Sequence, residues 1–331
     1  MALATGFSND FVFYDPFSSD FDRWEDAGGI DVLMLPDFLF MPDHTITYDG
    51  SALTVRYDSQ ALTIPDIIPG TPSVEFLEYR APTYSVEDVP ASLGTLRLIT
   101  DPAEATTGHA AVIGTDGNDV IDAPTNPEPV SGFSVIFGNG GNDRINLTPT
   151  QDVRAFGGAG RDVILGKAAD DFISGGNGRD KLAGGAGRDE IHGGRGKDLL
   201  RGGAGNDWLY GDDFDFPPIN GFDDSIFGGR GDDNIIGGGG ADVLTGGAGA
   251  DSFHFLLGQT LDGVARITDF EADRDRLLID TDTIPGVIRI NAQGDDTLVR
   301  YVADYYGETM RYDIALLEDV TLGKSDIDFG W

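Results

Sequence analysis

The chain has 331 residues, enough for two or three domains with cores of their own, and sets 22 Lys and Arg against 57 Asp and Glu, a formal charge of −35 at pH 7. That excess of negative charge makes nucleic acid and anionic membrane surfaces poor partners. The absence of Cys removes disulfides and thiol chemistry, and no run approaches the roughly eighteen apolar residues that a transmembrane helix needs.

The first ten residues contain neither a basic stretch nor an apolar one and do not read as a Sec signal. Apolar alternation predicts strands near 11–13, 31–35 and 53–57, so residues 1–70 are expected to form a β-rich module. Residues 71–111 include a Pro-rich stretch with strand-like 74–79 and 95–99, and read as a β segment connecting this module to the glycine-rich region that begins at 112.

From 112 to 254 one pattern dominates, Gly-Gly-x-Gly-x-Asp-x-hydrophobic-x. Six copies in register carry Asp162, Asp171, Asp180, Asp189, Asp198 and Asp207, nine residues apart. An insertion near 214–221 interrupts the phase, which resumes at Asp224, Asp233, Asp242 and Asp251. Outlying copies lie upstream at 114–122, with Asp119, and at 138–146, with Asp143. Glycines permit positive φ and tight turns, so the first six residues of each copy read as a loop and the last three as a short strand. The middle of each strand is Ile164, Ile173, Leu182, Ile191, Leu200, Leu209, Ile226, Ile235, Leu244 or Phe253, an inward apolar ladder. Two loop-strand units make one turn of a flattened coil. Asp162, Asp180 and Asp198 then stack on one edge and Asp171, Asp189 and Asp207 on the other.

Stacked turns bring these carboxylates to about 4.8 Å, where two bare charges repel by roughly 1 kcal/mol in water and about 3 to 4 kcal/mol at an effective dielectric of 20. Closing the coil therefore calls for a counter-charge. Calcium takes roughly six to eight hard oxygens, and glycine-rich loops expose their carbonyls freely. Zinc and copper prefer nitrogen or sulfur, in a chain with no Cys and four His. A solvated turn would explain any single Gly-Asp copy; ten copies in fixed phase, with a core residue always two after the Asp, point to calcium.

The run closely resembles the RTX family of hemolysin-type calcium-binding repeats, which form right-handed parallel β-rolls. The resemblance implies an all-β protein in which each ion sits between consecutive loops of one edge. Its ligands would be the Asp residues named above and loop carbonyls near Gly158, Gly160, Gly176, Gly178, Gly185, Gly187, Gly194, Gly196, Gly203, Gly205, Gly229, Gly231, Gly238, Gly240, Gly247 and Gly249. About eight ions are expected if each well-formed pair of loops holds one. Two copies depart from the pattern: one has Lys167 and Ala169 where Gly is expected, and 147–156 keeps only Asp152 and is one residue too long. The insertion at 212–223 is expected to leave the coil as a surface loop, because Asp207 and Asp224 are 17 residues apart, one nonapeptide plus eight. Pro217 and Pro218 cannot supply strand N–H groups. Leu209 and Ile226 would then remain rungs of one core.

Residues 255–331 read as a β cap, with strands near 252–257, 265–270, 276–280, 287–291, 297–303 and 314–317. The motifs Asp251-Ser252-Phe253-His254-Phe255, Ile267-Thr268-Asp269-Phe270 and Asp275-Arg276-Leu277-Leu278 resemble the segment that follows the roll in serralysin-type secreted proteins. The tail Ser325-Asp326-Ile327-Asp328-Phe329-Gly330-Trp331 looks like those of RTX proteins exported by type I secretion, which implies an extracellular protein handled by that machinery. The amino-terminal module parallels this cap: Asp10-Phe11-Val12-Phe13 matches its first element, 31–35 matches 275–279 and 53–57 matches 297–301, with 25 residues from Asp31 to Arg56 and from Asp275 to Arg300. A sheet element at each end would cover the open ends of a coil.

No catalytic constellation stands out. His44, His109, His192 and His254 do not form a His-Glu-x-x-His pair, and Gly132-Phe133-Ser134-Val135-Ile136 lacks the second glycine of a nucleophile elbow. His192 and His254 read as plain surface residues. Trp208, Tyr210 and the inserted Phe214 and Phe216 read as an aromatic cluster, either packing the insertion or forming a contact surface. The expected function is a secreted, calcium-dependent, non-catalytic protein of cell surface, matrix or adhesion type, binding extracellular polysaccharide, another protein or itself. The alternative is a polymer-degrading enzyme with its site in the first 110 residues.

Overall fold

Strands of three to ten residues, separated by glycine-rich turns, account for all the regular structure of the computed structural model among the described residues. The structure describes residues 110–123, 134–212, 221–256, 263–280, 286–305 and 308–320, together with seven earlier strands named below. No helix among them is long and apolar enough to cross a membrane. The chain forms two compact units, Met1–Val163 and Ile164–Trp331.

In the first unit, Phe11–Phe13 pairs in parallel with Val32–Leu35, and this with Phe76–Tyr79. Thr95–Ile99 lies antiparallel to Phe76–Tyr79 and parallel to Ala110–Ile113. From there parallel pairing runs on to Ser134–Gly140 and Val153–Gly160, while Val120–Asp122 pairs with Arg144–Asn146 in a second sheet. His44–Tyr48, Leu53–Tyr57 and Gln60–Ile64 form a separate antiparallel meander.

In the second unit the nonapeptides supply alternate strands to two parallel sheets, because a loop of six residues reverses the chain after each strand. The first sheet runs Phe172–Gly178, Glu190–Arg195, Trp208–Tyr210, Asn234–Ile236, Ser252–Leu256 and Arg276–Asp280. The second runs Lys181–Ala186, Leu199–Ala204, Ser225–Arg230, Val243–Ala248 and Ala265–Ile267. Register aligns Ile173, Ile191, Leu209, Ile235, Phe253 and Leu277 in one ladder and Leu182, Leu200, Ile226, Leu244 and Ile267 in the other. Every one of these side chains is at most 1% exposed, which contributes roughly 1.5 to 3 kcal/mol each relative to exposure. The fold is an all-β parallel roll.

Residues 213–220 lie outside the described residues, and so does the expected path of the insertion. On either side of it the ladders do not slip. Leu200 pairs with Ile226 and Leu209 with Ile235, so the array is one roll across the interruption. Parallel pairing also continues beyond His254, with Ala265–Ile267 and Arg276–Asp280 as further rungs. After them the topology changes. Glu308–Leu317 pairs in parallel with Ala265–Ile267 and then antiparallel with Asp296–Tyr305, which pairs with Gly286–Gln293. Leu298, Val299, Tyr301, Ile314, Ala315 and Leu317 fill the buried side of this meander.

Candidate metal sites

The loops are set by backbone conformation. All sixteen glycines singled out for their carbonyls have φ between +95° and +154°, where a Cβ is strained. At Gly203, φ +124°, a Cβ would also lie 2.1 Å from the carbonyl oxygen of Gly185 one turn away. Asn139, φ 73°, takes a glycine position in an outlying copy and donates its side-chain N–H to the carbonyl of Gly114 at 2.9 Å.

These turns deliver the Asp side chains inward. Asp171, Asp189, Asp207, Asp233 and Asp251 form one stack in the second unit, and Asp180, Asp198, Asp224 and Asp242 form another. In each stack the backbone N–H of one Asp donates to Oδ1 of the next, at 2.7 to 2.9 Å. The spacing is 18 residues in most steps but 26 across the insertion, from Asp198 to Asp224 and from Asp207 to Asp233. The same contacts join Asp119 to Asp143 and Asp143 to Asp162 in the first unit, the second at a spacing of 19 that absorbs the extra residue of the irregular copy. Asp162 to Asp251 of the repeat series are 2% exposed or less, as is Asp143. Asp152 of the irregular copy is exposed.

The other carboxylate oxygen defines the chemistry. Oδ2 of Asp143, Asp207, Asp224, Asp233 and Asp251 is buried without a hydrogen-bond partner. Each faces a glycine: a Cβ at Gly138, Gly202, Gly211, Gly228 or Gly246 would sit only 2.3 to 2.5 Å from it. Burial, opposed by the hydrogen bond from the preceding Asp and reinforced by neighbouring carboxylates, pushes Asp143 and Asp233 up to about 7 and Asp251 up to about 6. Asp207 rises to about 6 and Asp224 to about 10, again mainly through burial. A buried anionic oxygen without a donor is costly by several kcal/mol unless a proton or cation satisfies it. The cradle is built of glycine and peptide oxygens, which suits a hard divalent ion. Among the described residues no three His, Cys, Asp or Glu side chains converge on one point, so an ion here would draw much of its shell from peptide carbonyls.

Two readings of individual residues need correction. His192 is not a plain surface side chain: it is 18% exposed, stacks on Tyr210 with ring centroids 4.4 Å apart and contacts Glu190 at 3.0 Å. His254 is half-buried beside Trp208 and meets Asn234 at 3.2 Å. Both are held by a row of rings, Phe172, His192, Tyr210 and Trp208, that parallel register creates. Sequence reading also missed Asp275, which accepts the N–H of Asp251 at 3.0 Å as the next member of its stack.

Residues 131–148, 156–191, 184–215 and 219–253 match the model of the RTX calcium-binding nonapeptide repeat, in four copies. The roll is therefore an array of RTX repeats, a calcium-binding element. Among solved structures the chain is similar to the AlgE6R3 subunit of the Azotobacter vinelandii mannuronan C5-epimerase, at 23% identity over 45% of this chain and 78% of that one, with a TM-score of 0.19. It is similar also to the extracellular lipase LipA of Serratia marcescens, at 15% identity over 91% of this chain and 32% of that one, with a TM-score of 0.18. The chain thus spans about a third of the lipase's length. Comparison with curated protein sequences gives no match.

Proposed function

We propose that this is a secreted calcium-binding protein whose roll closes on calcium, with a structural role at a cell surface or in an extracellular matrix rather than a catalytic one. The observation that carries the reading is the row of buried Oδ2 atoms facing glycine, partnerless in Asp143, Asp207, Asp224, Asp233 and Asp251. The carboxylates of Asp119, Asp143, Asp162, Asp171, Asp180, Asp189, Asp198, Asp207, Asp224, Asp233, Asp242 and Asp251 would hold the ions with the carbonyls of the positive-φ glycine loops. Calcium supplies the positive charge that allows these carboxylates to stay ionised at neutral pH. The chain's own residues supply the rest: glycine opens the cradle, each Asp N–H fixes the next carboxylate, and the apolar ladder keeps the turns in register.

Dependence on calcium favours an extracellular setting, since the array would stay open where free calcium is scarce, and export by the type I route fits the acidic tail. Extracellular polysaccharide, a protein surface or a second copy are the partners we propose. Metal content after equilibrium dialysis tests the reading. About eight calcium ions per chain are expected, with magnesium not replacing them at equal concentration; a chain that emerges folded and free of calcium would overturn it.

A further inference from the structure

The chain carries 57 acidic residues against 22 basic ones, yet one surface of the second unit reverses that balance. In loops 175–180 and 193–198, and in the strands Lys181–Ala186 and Leu199–Ala204 that follow them, exposed and buried residues alternate. Arg179 and Lys181 therefore point outward on one rung, and Lys197 and Arg201 on the next. Parallel register sets Lys181 beside Leu199 and Ala183 beside Arg201, with about 4.8 Å between rungs. On the following rung Lys197 meets Asp223 at 3.3 Å, and the guanidinium of Arg201 lies 4.8 Å from the centre of the Phe227 ring. Asp223 is the one carboxylate among these outward residues. Neither Arg179 nor Lys181 has an ion-pair partner among the described residues, and the strands Ser225–Arg230 and Val243–Ala248 that continue this face contain no acid.

We propose that this face binds an anionic polysaccharide, a single chain of which lies across Arg179, Lys181, Lys197 and Arg201. The inference rests on the reading of the protein as a calcium-loaded roll with an extracellular polysaccharide partner, and gives that partner its charge and its place. Like charges one rung apart repel by roughly 1 kcal/mol in water, so an anion held among them relieves a cost that the fold otherwise carries. Phe227, half-buried beside Arg201, adds an apolar surface against which the C–H face of a sugar ring can pack. The acidity of the rest of the chain selects the shape of the partner. Charge is felt over roughly 8 Å at physiological ionic strength, so a membrane or a duplex, broad enough to reach the acidic remainder, is repelled. A single polysaccharide chain is narrow enough to meet the cations alone. Calcium sets the sign of the strip: the buried Asp180 and Asp198 directly follow Arg179 and Lys197, and the cations dominate once ions neutralise those carboxylates.

Binding of the full chain, in calcium, to immobilised dextran, carboxymethyl-dextran and dextran sulfate tests this. A charged polymer should retain the protein and dextran should not, with retention falling as salt is raised; the tighter of the two charged polymers assigns carboxylate or sulfate as the recognised group. The double variant Lys181→Glu/Arg201→Glu should weaken that binding about tenfold or more. Lys181→Gln/Arg201→Gln, which adds no acid, should show a smaller loss of the same sign. Arg289→Glu/Arg311→Glu alters net charge by the same amount at exposed positions of the meander, and should leave affinity within about twofold. Equal losses in the two charge-reversal variants, or equal retention by dextran, would overturn the surface. A wild type that folds on calcium yet ignores all three polymers would overturn it while leaving the calcium array standing; failure of the array shows separately, as a chain that is folded without calcium.

Discussion

The nonapeptide array and the antiparallel meander of the second unit are both β-structure, yet they are held together by opposite means. Array strands such as Trp208–Tyr210 and Asn234–Ile236 are three residues long and joined by loops that bury carboxylates. Meander strands run eight to ten residues, are joined at 294–295 by a turn with Gly294 at φ +73°, and bury Leu298, Val299, Tyr301, Ile314 and Leu317. Its Arg300 and Asp313 form a two-pronged ion pair near the surface. A sheet with long strands can fold on apolar contact alone. One rung per nine residues leaves six loop residues to be ordered, at about 1 to 2 kcal/mol of backbone entropy each, a cost that the proposed ions would offset together with the carboxylate repulsion.

Removing calcium at neutral pH should break the comparison most strongly. Hydrogen exchange in excess chelator should show the amides of Asp180, Asp198 and Asp207 exchanging freely, while those of Val299 and Tyr301 stay protected. Equal protection in both regions would mean that the array folds by packing.

Acidification should partly replace the metal. Carboxyls whose folded value is raised, such as Asp207 and Asp251 at about 6 and Asp143 and Asp233 at about 7 against an ordinary 3.8, favour the folded form when protonated. Their contribution is full below pH 3.8 and lost as pH rises through 6 to 7. Chelated protein should therefore regain β-signal between pH 7 and 4, whereas calcium affinity should fall over the same range because protons compete for the ligands. A chelated array indifferent to pH would contradict this.

Side-chain changes probe packing in the calcium-loaded protein. Leu200→Ala, in the ladder, should cost roughly 2 to 5 kcal/mol in urea unfolding. Gly203→Ala should cost more than about 1 kcal/mol, because its Cβ meets the Gly185 carbonyl. Gly294→Ala, where nothing lies within 4 Å, should cost less than the array substitution; the reverse order would refute the steric account. The smallest effect is expected from Arg300→Ala, a partly exposed pair, whose thermal midpoint should barely move.

The array was legible because its nine-residue phase specifies glycine conformation, carboxylate and core residue together, so that Ile164 through Phe253 could be placed from spacing alone. Other parts lack such coupling. His44–Tyr48 and Gln60–Ile64 are short and mixed in polarity, and Glu308 to Asp313 is polar, so these strands are set by their antiparallel partners rather than by pattern. Asp275 escaped because loop 268–275 has no glycine signature, and only parallel register brings it beneath Asp251. His192 and His254 were placed on the outer face, but a strand sequence does not reveal that rings one rung apart stack on each other.

The central claim is that the roll closes on calcium, and a calcium titration of chelated protein at pH 7.5 followed by far-UV circular dichroism tests it most directly. The account predicts that β-signal is largely missing in chelator, returns cooperatively as calcium is added, and does not return with magnesium at the same concentration. A full β-signal in excess chelator, unchanged by calcium, would contradict it.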